Sequence, residues 1–596
     1  MEMTKMATYI RLTDYKSSDE KEQEFFNPEN RYESKQEDFE KIPGSPVAYW
    51  VSDKVIDIFN KKSYLGNFGD TKKGVLTGND EKYVRTWFEV NNQKIGFQLI
   101  DYSDMIKQNS KWIPVTSGGS FRKWYGNFET IVNMENDSYE IKYCNANNFR
   151  LRDSSFYFRE CITWSEVSSN LLSVRQVPNG ILFGNSGPVC FFKEDILYFT
   201  ALLNSPVALS FFKFLSPTMT FGPEQVKRIP TLINNKQKKI IEATTQQNID
   251  ISKEEWDSRE TSWDFAQNEL LRILNDEFLV LNEKPTLETV YNRYCEYWRE
   301  KFFALHVNEE ELNRLFIDIY ELQDELTPDV ELKDITILKN EAKIIDNELV
   351  FQADEIMKQF ISYGVGVMFG RYSLDHKGLH VANINESLDD ANSKFNIQNS
   401  TFEADDDNVI PVLEDDYFKD DISSRFVQFV KATFGEENLS ENIRFIENSL
   451  GSTLRKYFVK GFYEDHIKRY KKRPIYWMVA SPKKGFMSLI YMHRYEVDTF
   501  ARVRNSYLTE YIAKLEAHKE TLTLTTTSDT ASNADKKSAD KQIKQIESKL
   551  KELIEFDRDK MMHFAQNNIE IDLDDGVKVN YCKFKDILYP IKGLCK

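Results

Sequence analysis

Hydrophobic and polar positions form short runs over roughly the first 230 residues of the chain. The runs are rich in Val, Ile, Phe, Tyr and Trp and are bounded by Gly, Asn and Ser, which is the pattern of short strands separated by turns. It predicts a β-rich or α+β region. The predicted strands are residues 8–15, 84–90, 94–100, 154–160 and 180–184.

Apolar positions take up a helical spacing toward the end of this region and beyond it. Residues 194–214 predict two helices broken at Asn204-Ser205-Pro206, because proline interrupts a continuous helix. From 234 to 395, apolar residues recur every three or four positions, which predicts a mainly helical region. Residues 354–372 are the most apolar of these segments and predict a buried helix.

The last region contains two more helical segments. An acidic, Asn-rich connector at 383–408 is predicted to precede it. Residues 506–520 and 536–565 have helical periodicity and flank a Thr/Ser-rich stretch at 521–538. This arrangement predicts an antiparallel pair of helices with a mobile tip.

Together the patterns predict an α+β multidomain protein, in which a β-rich domain precedes mainly helical domains and an antiparallel helical hairpin lies near the C-terminus. The length of 596 residues is sufficient for several packed cores. The predicted parts are a connector or domain remnant at 1–55, the β-rich domain at 56–233, a helical domain at 234–395, and a last domain at 396–596 with the hairpin at about 506–565.

The formal net charge of −17 argues against a nucleic-acid partner until the distribution of charge is considered. Residues 467–495 contain eight Lys or Arg and no Asp or Glu, and residues 105–128 contain four basic residues and no acid. The acidic excess lies elsewhere, notably at 403–408 and 413–421. Binding depends on where positive charge is concentrated, so this segregation is compatible with a polyanion held in one groove.

Cysteine usage and hydropathy indicate the compartment. The cysteines at 144, 161, 190, 295, 582 and 595 have no close pairing, which predicts reduced thiols in a cytoplasm. No window approaches the roughly 18 uncharged apolar residues of a membrane span. We therefore expect a cytoplasmic protein that has no membrane partner.

Residue patterns for enzyme chemistry are weak. Methyltransferases that modify exocyclic amines use an Asp/Asn-Pro-Pro-Tyr/Phe loop around the flipped base, and none of the 16 prolines here is adjacent to another. Gly364, Gly366 and Gly370 follow a helical stretch rather than a strand, which favours close helix packing over a cofactor loop. The sequence thus predicts no catalytic and no cofactor-binding residue.

Nuclease and zinc patterns are equally weak. Asp329, Glu331 and Lys333 lie too close together to supply two separated elements of a metal-dependent nuclease, and they favour a charged turn. His376 and His380 are not followed by the glutamate of a zinc protease, and the chain has no Cys-x-x-Cys. No metal ligand is predicted.

Contact with DNA has more support. Residues 118–127 place two glycines before Arg122, Lys123, Trp124 and Tyr125, so that the backbone could approach DNA closely while basic and aromatic side chains reach phosphate or base. The alternative is a hairpin whose Trp and Tyr belong to the core and whose basic residues are solvated. The other candidate DNA-binding residues are Lys82, Arg85, Lys227, Arg228, Lys468, Arg469, Lys471, Lys472, Arg473, Lys483 and Lys484.

Several long stretches resemble a known family. Residues 251–265, 308–330, 363–375, 471–495 and 576–584 are similar to the C-terminal half of the PglX family, the adenine-specific DNA methyltransferases of BREX phage-defence systems, which are related to single-chain restriction-modification enzymes. TGNDEKYVRTWFEV (77–90) and the segment ending in GGSFRKWYGN resemble the opening of the family's target-recognition region.

The resemblance implies a division of roles. In the family, an N-terminal Rossmann-like half binds S-adenosylmethionine and flips the adenine, while the recognition domain reads the site and the C-terminal region closes around DNA. The resemblance therefore makes 56–233 a target-recognition domain and 396–596 a DNA-embracing domain. It implies S-adenosylmethionine only for a catalytic half that this sequence lacks.

The leading hypothesis is a DNA-binding target-recognition portion whose partners are double-stranded DNA, a methyltransferase half supplied elsewhere or missing, and other BREX components. The abrupt strand at 8–15 is compatible with a split gene, a truncated gene or an expressed fragment. Two alternatives remain. One is an assembly protein of a defence complex without DNA affinity, and the other is a complete enzyme with an unfamiliar site.

Overall fold

The computed structural model of the protein describes residues 6–144, 148–167, 171–216, 220–277 and 284–595. The chain divides into two compact units. Unit 1 comprises Met1–Tyr83, Gly96–Trp256 and Glu300–Leu338. Unit 2 comprises Val84–Ile95, Asp257–Arg299 and Lys339–Lys596.

Strands are short throughout the described residues. In chain order they are β1 (Met6–Ile10), β2 (Arg31–Lys35), β3 (Gly69–Lys72), β4 (Val84–Thr86), β5 (Trp112–Thr116), β6 (Thr130–Asn133), β7 (Cys161–Trp164), β8 (Val174–Val177), β9 (Leu182–Phe183), β10 (Val189–Phe192), β11 (Ala342–Ile345), β12 (Glu348–Phe351), β13 (Ile410–Pro411), β14 (Tyr476–Ala480) and β15 (Met487–Tyr491).

Short helices occur along the whole of the described chain, and every described helix of more than ten residues begins after residue 237. The first group is α1 (Ser18–Glu24), α2 (Gln36–Glu40), α3 (Asp53–Asn60), α4 (Asp80–Tyr83), α5 (Tyr102–Gln108), α6 (Glu135–Tyr143), α7 (Ile196–Asn204), α8 (Pro206–Leu215) and α9 (Pro223–Val226). The second group is α10 (Lys238–Asp257), α11 (Glu269–Glu277), α12 (Leu287–Tyr320), α13 (Ala353–Met368), α14 (Leu388–Lys394), α15 (Ile422–Phe434), α16 (Leu439–Leu450), α17 (Leu454–Lys460), α18 (Phe462–Arg469), α19 (Thr499–Arg502), α20 (Thr509–Thr527), α21 (Asn533–Phe556), α22 (Met562–Gln566) and α23 (Gly576–Lys583).

Unit 1 is built on small sheets. One sheet has the order β3-β10-β7-β8 with antiparallel neighbours, and α7 packs against β7 and β8. In another, β5 pairs antiparallel with β6 and parallel with β9. Residues on both faces of β5 and β7 are buried, including Trp112 and Trp164, because helices and loops cover both sides.

Unit 2 is built on helices around an antiparallel sheet of order β13-β15-β14. Helix α13 is almost wholly buried and packs against α15, α16 and α18. A Cβ at Gly364 would lie 2.9 Å from the Phe426 ring, and one at Gly366 would lie 2.5 Å from the Tyr372 ring. The packing role predicted for these two glycines is therefore confirmed.

The predicted fold class, α+β with a C-terminal helical hairpin, is confirmed. The predicted helix break at 204–206 is also present, with a bend of 67° between α7 and α8. Two predicted strands are wrong, because Gln98 and Phe158 have φ values of 64° and 63°, which extended backbone excludes. Instead, a 3₁₀ turn ends at Lys94 and another spans Ser154–Phe156, followed in each case by a loop. The loops bury Ile95, Leu99, Tyr157 and Phe158, whereas Ile100 is exposed.

The hairpin formed by α20 and α21 extends further than its sequence predicted, since only residues 528–532 lie between the two helices. The threonines of the low-complexity stretch lie within the helix, and their hydroxyls donate hydrogen bonds to carbonyls one turn earlier, as from Thr521 Oγ1 to Ala517 O at 3.0 Å. The predicted loop at 521–538 is thus much shorter.

Cys582 and Cys595 form a disulfide, so the prediction of reduced thiols is wrong for this pair. The segment that follows α23 turns back along β14, where Tyr589 N donates to Met478 O, and this return brings the two cysteines together. Cys144, Cys161, Cys190 and Cys295 are free thiols.

Among the described residues, no single helix has the length and apolar composition to cross a membrane, and α7 with α8 meets the test only as a bent pair.

Candidate functional site

The predicted DNA-contact loop at 118–127 lies between β5 and β6 of unit 1. Arg122 is 4% exposed, and its Nη2 donates to Glu255 Oε2 at 2.6 Å and to Ser252 O at 3.0 Å. Its Nε donates to Tyr125 O at 2.6 Å, and the guanidinium lies 5.0 Å from the centre of the Trp256 ring. The charge of Arg122 is therefore neutralised inside the unit.

Lys123 and Trp124 share one carboxylate. Lys123 Nζ lies 2.6 Å from Glu309 Oε2, and Trp124 Nε1 donates to Glu309 Oε1 at 2.7 Å. All three side chains are buried. A buried carboxylate needs charge and hydrogen-bond partners, and this arrangement supplies both.

Backbone geometry requires glycine in this loop. Gly126 has a φ of 120°, and a Cβ there would lie 2.3 Å from Arg122 Nε. Trp124 also has a positive φ, of 72°, and its NH bonds to Val174 O at 2.9 Å. The second glycine of the predicted pair, Gly119, is exposed.

Tyr125 completes the loop's packing. It is buried and lies edge-to-face with Phe128, with ring centres 5.1 Å apart. The structure therefore buries Trp124 and Tyr125, as the hairpin alternative predicted, but it also buries Arg122 and Lys123, which that alternative expected to be solvated. Their contact with DNA stays a prediction.

Three further candidates lie elsewhere in unit 1. Lys227 and Arg228 follow α9 and are half-buried, and Lys227 Nζ is 2.5 Å from Glu224. Lys82 is exposed at the end of α4, where its Nζ lies 3.2 Å from Glu140.

Unit 2 brings two distant candidates to one buried carboxylate. Arg473 Nε lies 3.7 Å from Glu89 Oε2, and that oxygen accepts from Val577 N at 2.8 Å. Arg85 Nη2 donates to Asp575 O at 3.1 Å on the same side. Burial lowers the pKa of Arg85, and Glu89 opposes that effect. Arg85 and Arg473 thus form one cluster around Glu89, called here the Glu89 cluster.

The segment 468–472, called here the basic turn, leads into this cluster. Lys468, Lys471 and Lys472 are exposed, while Arg469 is half-buried with Nη1 3.6 Å from Glu260. Lys471 and Lys472 have φ values of 50° and 62°, so the chain leaves α18 through two left-handed residues. The reversal turns the lysine side chains outward while Tyr470 points into the unit.

The last two candidates, Lys483 and Lys484, are exposed in the turn between β14 and β15. Lys484 Nζ lies 3.0 Å from Tyr589 Oη and 4.3 Å from the centre of that ring. The basic turn precedes β14 and these lysines follow it, so the two groups are at opposite ends of a five-residue strand, about 17 Å long.

A cavity of about 430 Å³ in unit 2 is lined by acidic residues together with Arg494 and Arg502. Its arginines already have partners: Arg494 donates to the carbonyls of Asp405 and Asp406, and Arg502 donates to that of Asp407 and to Asp498. These two arginines fix an acidic loop in place. Among the described residues, no group of three or more His, Cys, Asp or Glu side chains is placed to hold a metal ion.

Sequence reasoning missed the acids that organise these sites. Glu255, Glu309 and Glu89 lie far along the chain from Arg122, Lys123 and Arg473, their respective cation partners, although all three acids stand within stretches that resemble the family. Because the pairing is made by tertiary packing, no local signal could have identified these partners.

Comparison with known proteins gives two close relatives. No protein-family model matches the chain. The chain is 37% identical to the adenine-specific methyltransferase PglX of Lacticaseibacillus casei (strain Zhang), in an alignment 619 positions long that covers 98% of the chain and 49% of the relative. It is 34% identical to the adenine-specific methyltransferase BrxX of Escherichia coli O9:H4 (strain HS), with 98% of the chain and 48% of the relative covered. The chain thus spans about half the length of the curated relatives it matches and is similar to part of an adenine-specific methyltransferase.

Proposed function

We propose that this chain is the DNA-binding target-recognition portion of an adenine-specific, S-adenosylmethionine-dependent DNA methyltransferase of BREX phage defence, equivalent to the C-terminal half of the PglX family. Similarity along 98% of the chain to about half of two adenine-specific methyltransferases carries the proposal. In this account methyl transfer belongs to the half of the relatives' length that this sequence does not cover.

The chemistry of the residues present supports that division. The sequence has no Pro-Pro dipeptide and so no Asn-Pro-Pro-Tyr loop to hold a flipped adenine. Gly364 and Gly366 lie within a buried helix, where rings of Phe426 and Tyr372 occupy the space beside them. These residues do not fit S-adenosylmethionine, and we derive no step of methyl transfer through this chain.

We assign first contact with DNA to the basic turn. Exposed lysines bind phosphate as mobile point charges, and such contacts position a protein on duplex DNA without reading its sequence. The Glu89 cluster fixes the backbone that follows the turn, because Arg473 is held by a buried carboxylate. The turn therefore presents Lys468, Lys471 and Lys472 from a fixed support.

The test replaces these three lysines with glutamine and measures binding to a fluorescent duplex by anisotropy. We expect the dissociation constant to rise at least tenfold at 100 mM salt, from the loss of about three phosphate contacts. The matched control replaces Lys343, Lys394 and Lys431, three exposed lysines of unit 2, and should change affinity less than twofold.

Equal affinity of the basic-turn variant and the wild-type chain would remove the turn from the interface. No binding of the wild-type chain to any duplex, together with a stable complex with other defence components, would favour the assembly-protein alternative.

A further inference from the structure

Unit 2 contains a buried polar cluster behind the basic turn. Its members are Glu260, Arg371, His466, Tyr470 and Tyr476, all at most 5% exposed. The charges of Glu260 and Arg371 both act on the hydroxyls of Tyr470 and Tyr476, and that of Arg371 also acts on His466. The His466 ring centre lies 4.7 Å from that of Tyr470 and 4.8 Å from that of Tyr476. Each of the five carries a buried side-chain atom without a hydrogen-bond partner among the described residues.

The two charged members are each partly satisfied. Glu260 Oε2 accepts from Ser362 Oγ at 2.5 Å, which leaves Oε1 as an acceptor. Arg371 donates from Nη1 to Tyr491 Oη at 2.9 Å and from Nε to Tyr372 Oη at 3.2 Å, which leaves the hydrogens of Nη2 as donors.

The tautomer of His466 follows from its backbone contact. Nε2 accepts from Tyr476 N at 3.1 Å and therefore carries a lone pair. Burial lowers the pKa of His466, so the ring is neutral and its hydrogen lies on Nδ1. Nδ1–H is thus a third unsatisfied group, and it is a donor.

The cluster therefore combines donors on Arg371 and His466, an acceptor on Glu260, and two tyrosine hydroxyls that can do both. Buried polar groups in folded proteins have partners in more than nine cases out of ten. A bound anion would serve only the donors and a bound cation only the acceptors. Water serves both, and internal water molecules usually make about three hydrogen bonds each.

We propose that Glu260, Arg371, His466, Tyr470 and Tyr476 enclose ordered internal water molecules, which join the carboxylate to the guanidinium through the two tyrosine hydroxyls. His466 and Tyr470 belong to the same segment as Lys468, Lys471 and Lys472, so the hydrated cluster anchors the inner side of the basic turn. That consequence for DNA rests on the proposed function, whereas the hydration of the cluster does not.

Removing single hydroxyls tests the proposal by the sign of the effect. Tyr470→Phe and Tyr476→Phe should each lower the melting temperature, by about 2–4 °C, because each breaks a bond to internal water. A hydroxyl in a dry cluster has the opposite effect: its removal relieves an unsatisfied buried group and raises the melting temperature. Tyr463→Phe is the matched control, because it measures the effect of removing a buried hydroxyl that has partners in the protein. The Tyr463 hydroxyl bonds to Tyr581 Oη at 3.1 Å and accepts from Met478 N at 3.2 Å.

A crystal structure of the wild-type chain at better than about 2 Å resolution supplies the second measurement. The proposal expects ordered solvent within hydrogen-bond distance of Glu260 Oε1 and Arg371 Nη2. Both Phe variants at or above the wild-type melting temperature, or a cluster without solvent density, would overturn it. If the melting temperatures and the solvent density are as expected but the wild-type chain does not bind DNA, the proposed function is contradicted and the hydrated cluster is not.

Discussion

Arg122 and Glu255 form an ion pair 2.6 Å long in which the side chains are 5% and 2% exposed. The pair joins the loop after β5 to helix α10. Removing one member of a buried pair leaves an uncompensated charge, which is far more costly than losing a surface pair. The loop whose sequence predicts DNA contact therefore also stabilises the packing of unit 1.

Arg122→Ala should lower the free energy of unfolding of unit 1 by about 3–5 kcal/mol. The measurement is denaturant unfolding followed by tryptophan fluorescence. Lys227→Ala is the control, because the side chains of its pair with Glu224 are 41% and 63% exposed and the pair should contribute less than about 1 kcal/mol. Similar small losses for both variants would show that the Arg122 pair is not buried in solution.

Glu309 accepts hydrogen bonds from two donors, so its substitutions should lower the melting temperature by different amounts. Glu309→Gln keeps an oxygen for Trp124 Nε1 but loses the charge opposite Lys123, whereas Glu309→Ala loses both. We expect the alanine variant to have the lower melting temperature, with glutamine between alanine and wild type. Equal melting temperatures for the two variants would contradict the shared-carboxylate arrangement.

Gly126→Ala should destabilise the protein more than Gly378→Ala. Both glycines have positive φ, of 120° and 87°, so alanine is strained at either position, by about 1–3 kcal/mol. At Gly126 the new Cβ would also meet Arg122, whereas nothing lies within 4 Å of a Cβ at Gly378. Thermal unfolding of the two variants side by side measures the difference, and an equal loss would argue against the observed loop geometry.

Asp405 should make unit 2 less stable as the pH rises from about 4 to 7. Burial, with Asp407 nearby, raises the pKa of Asp405 from 3.8 to about 7. The folded state therefore binds a proton that the unfolded state has released, and this contribution is lost as pH rises through the folded pKa. Asp405→Asn should flatten that pH dependence and melt higher than wild type at pH 8, whereas Asp415→Asn, at an exposed position, should leave the profile unchanged. A stability difference between Asp405→Asn and wild type that stays constant between pH 4 and 7 would contradict the raised pKa.

The sequence predicted those elements whose periodicity is strong over many residues. Helix α13 and the hairpin of α20 and α21 are of this kind, because burial of one face or of a whole helix leaves a pattern in the chain. The strands predicted at 94–100 and 154–160 failed because aromatic residues in a buried loop have the same composition as a strand. Only the left-handed backbone at Gln98 and Phe158 distinguishes the two.

The candidate site was predictable in its residue types and less so in its geometry. Basic runs at 468–473 and 483–484 are visible in the sequence, but their placement at opposite ends of β14 depends on the hairpin that β14 forms with β15. The convergence of Arg85 and Arg473 on Glu89 depends on packing within unit 2, and the disulfide of Cys582 with Cys595 depends on the return of the chain along β14.

The salt dependence of duplex binding tests the central claim most directly. The wild-type chain should bind duplex DNA, with the logarithm of its affinity falling linearly with the logarithm of salt concentration. Replacing Lys468, Lys471 and Lys472 with glutamine should reduce that slope by about 3, at roughly 0.9 per phosphate contact. Binding too weak to detect at 50 mM salt, or a slope unchanged by the three substitutions, would contradict the account.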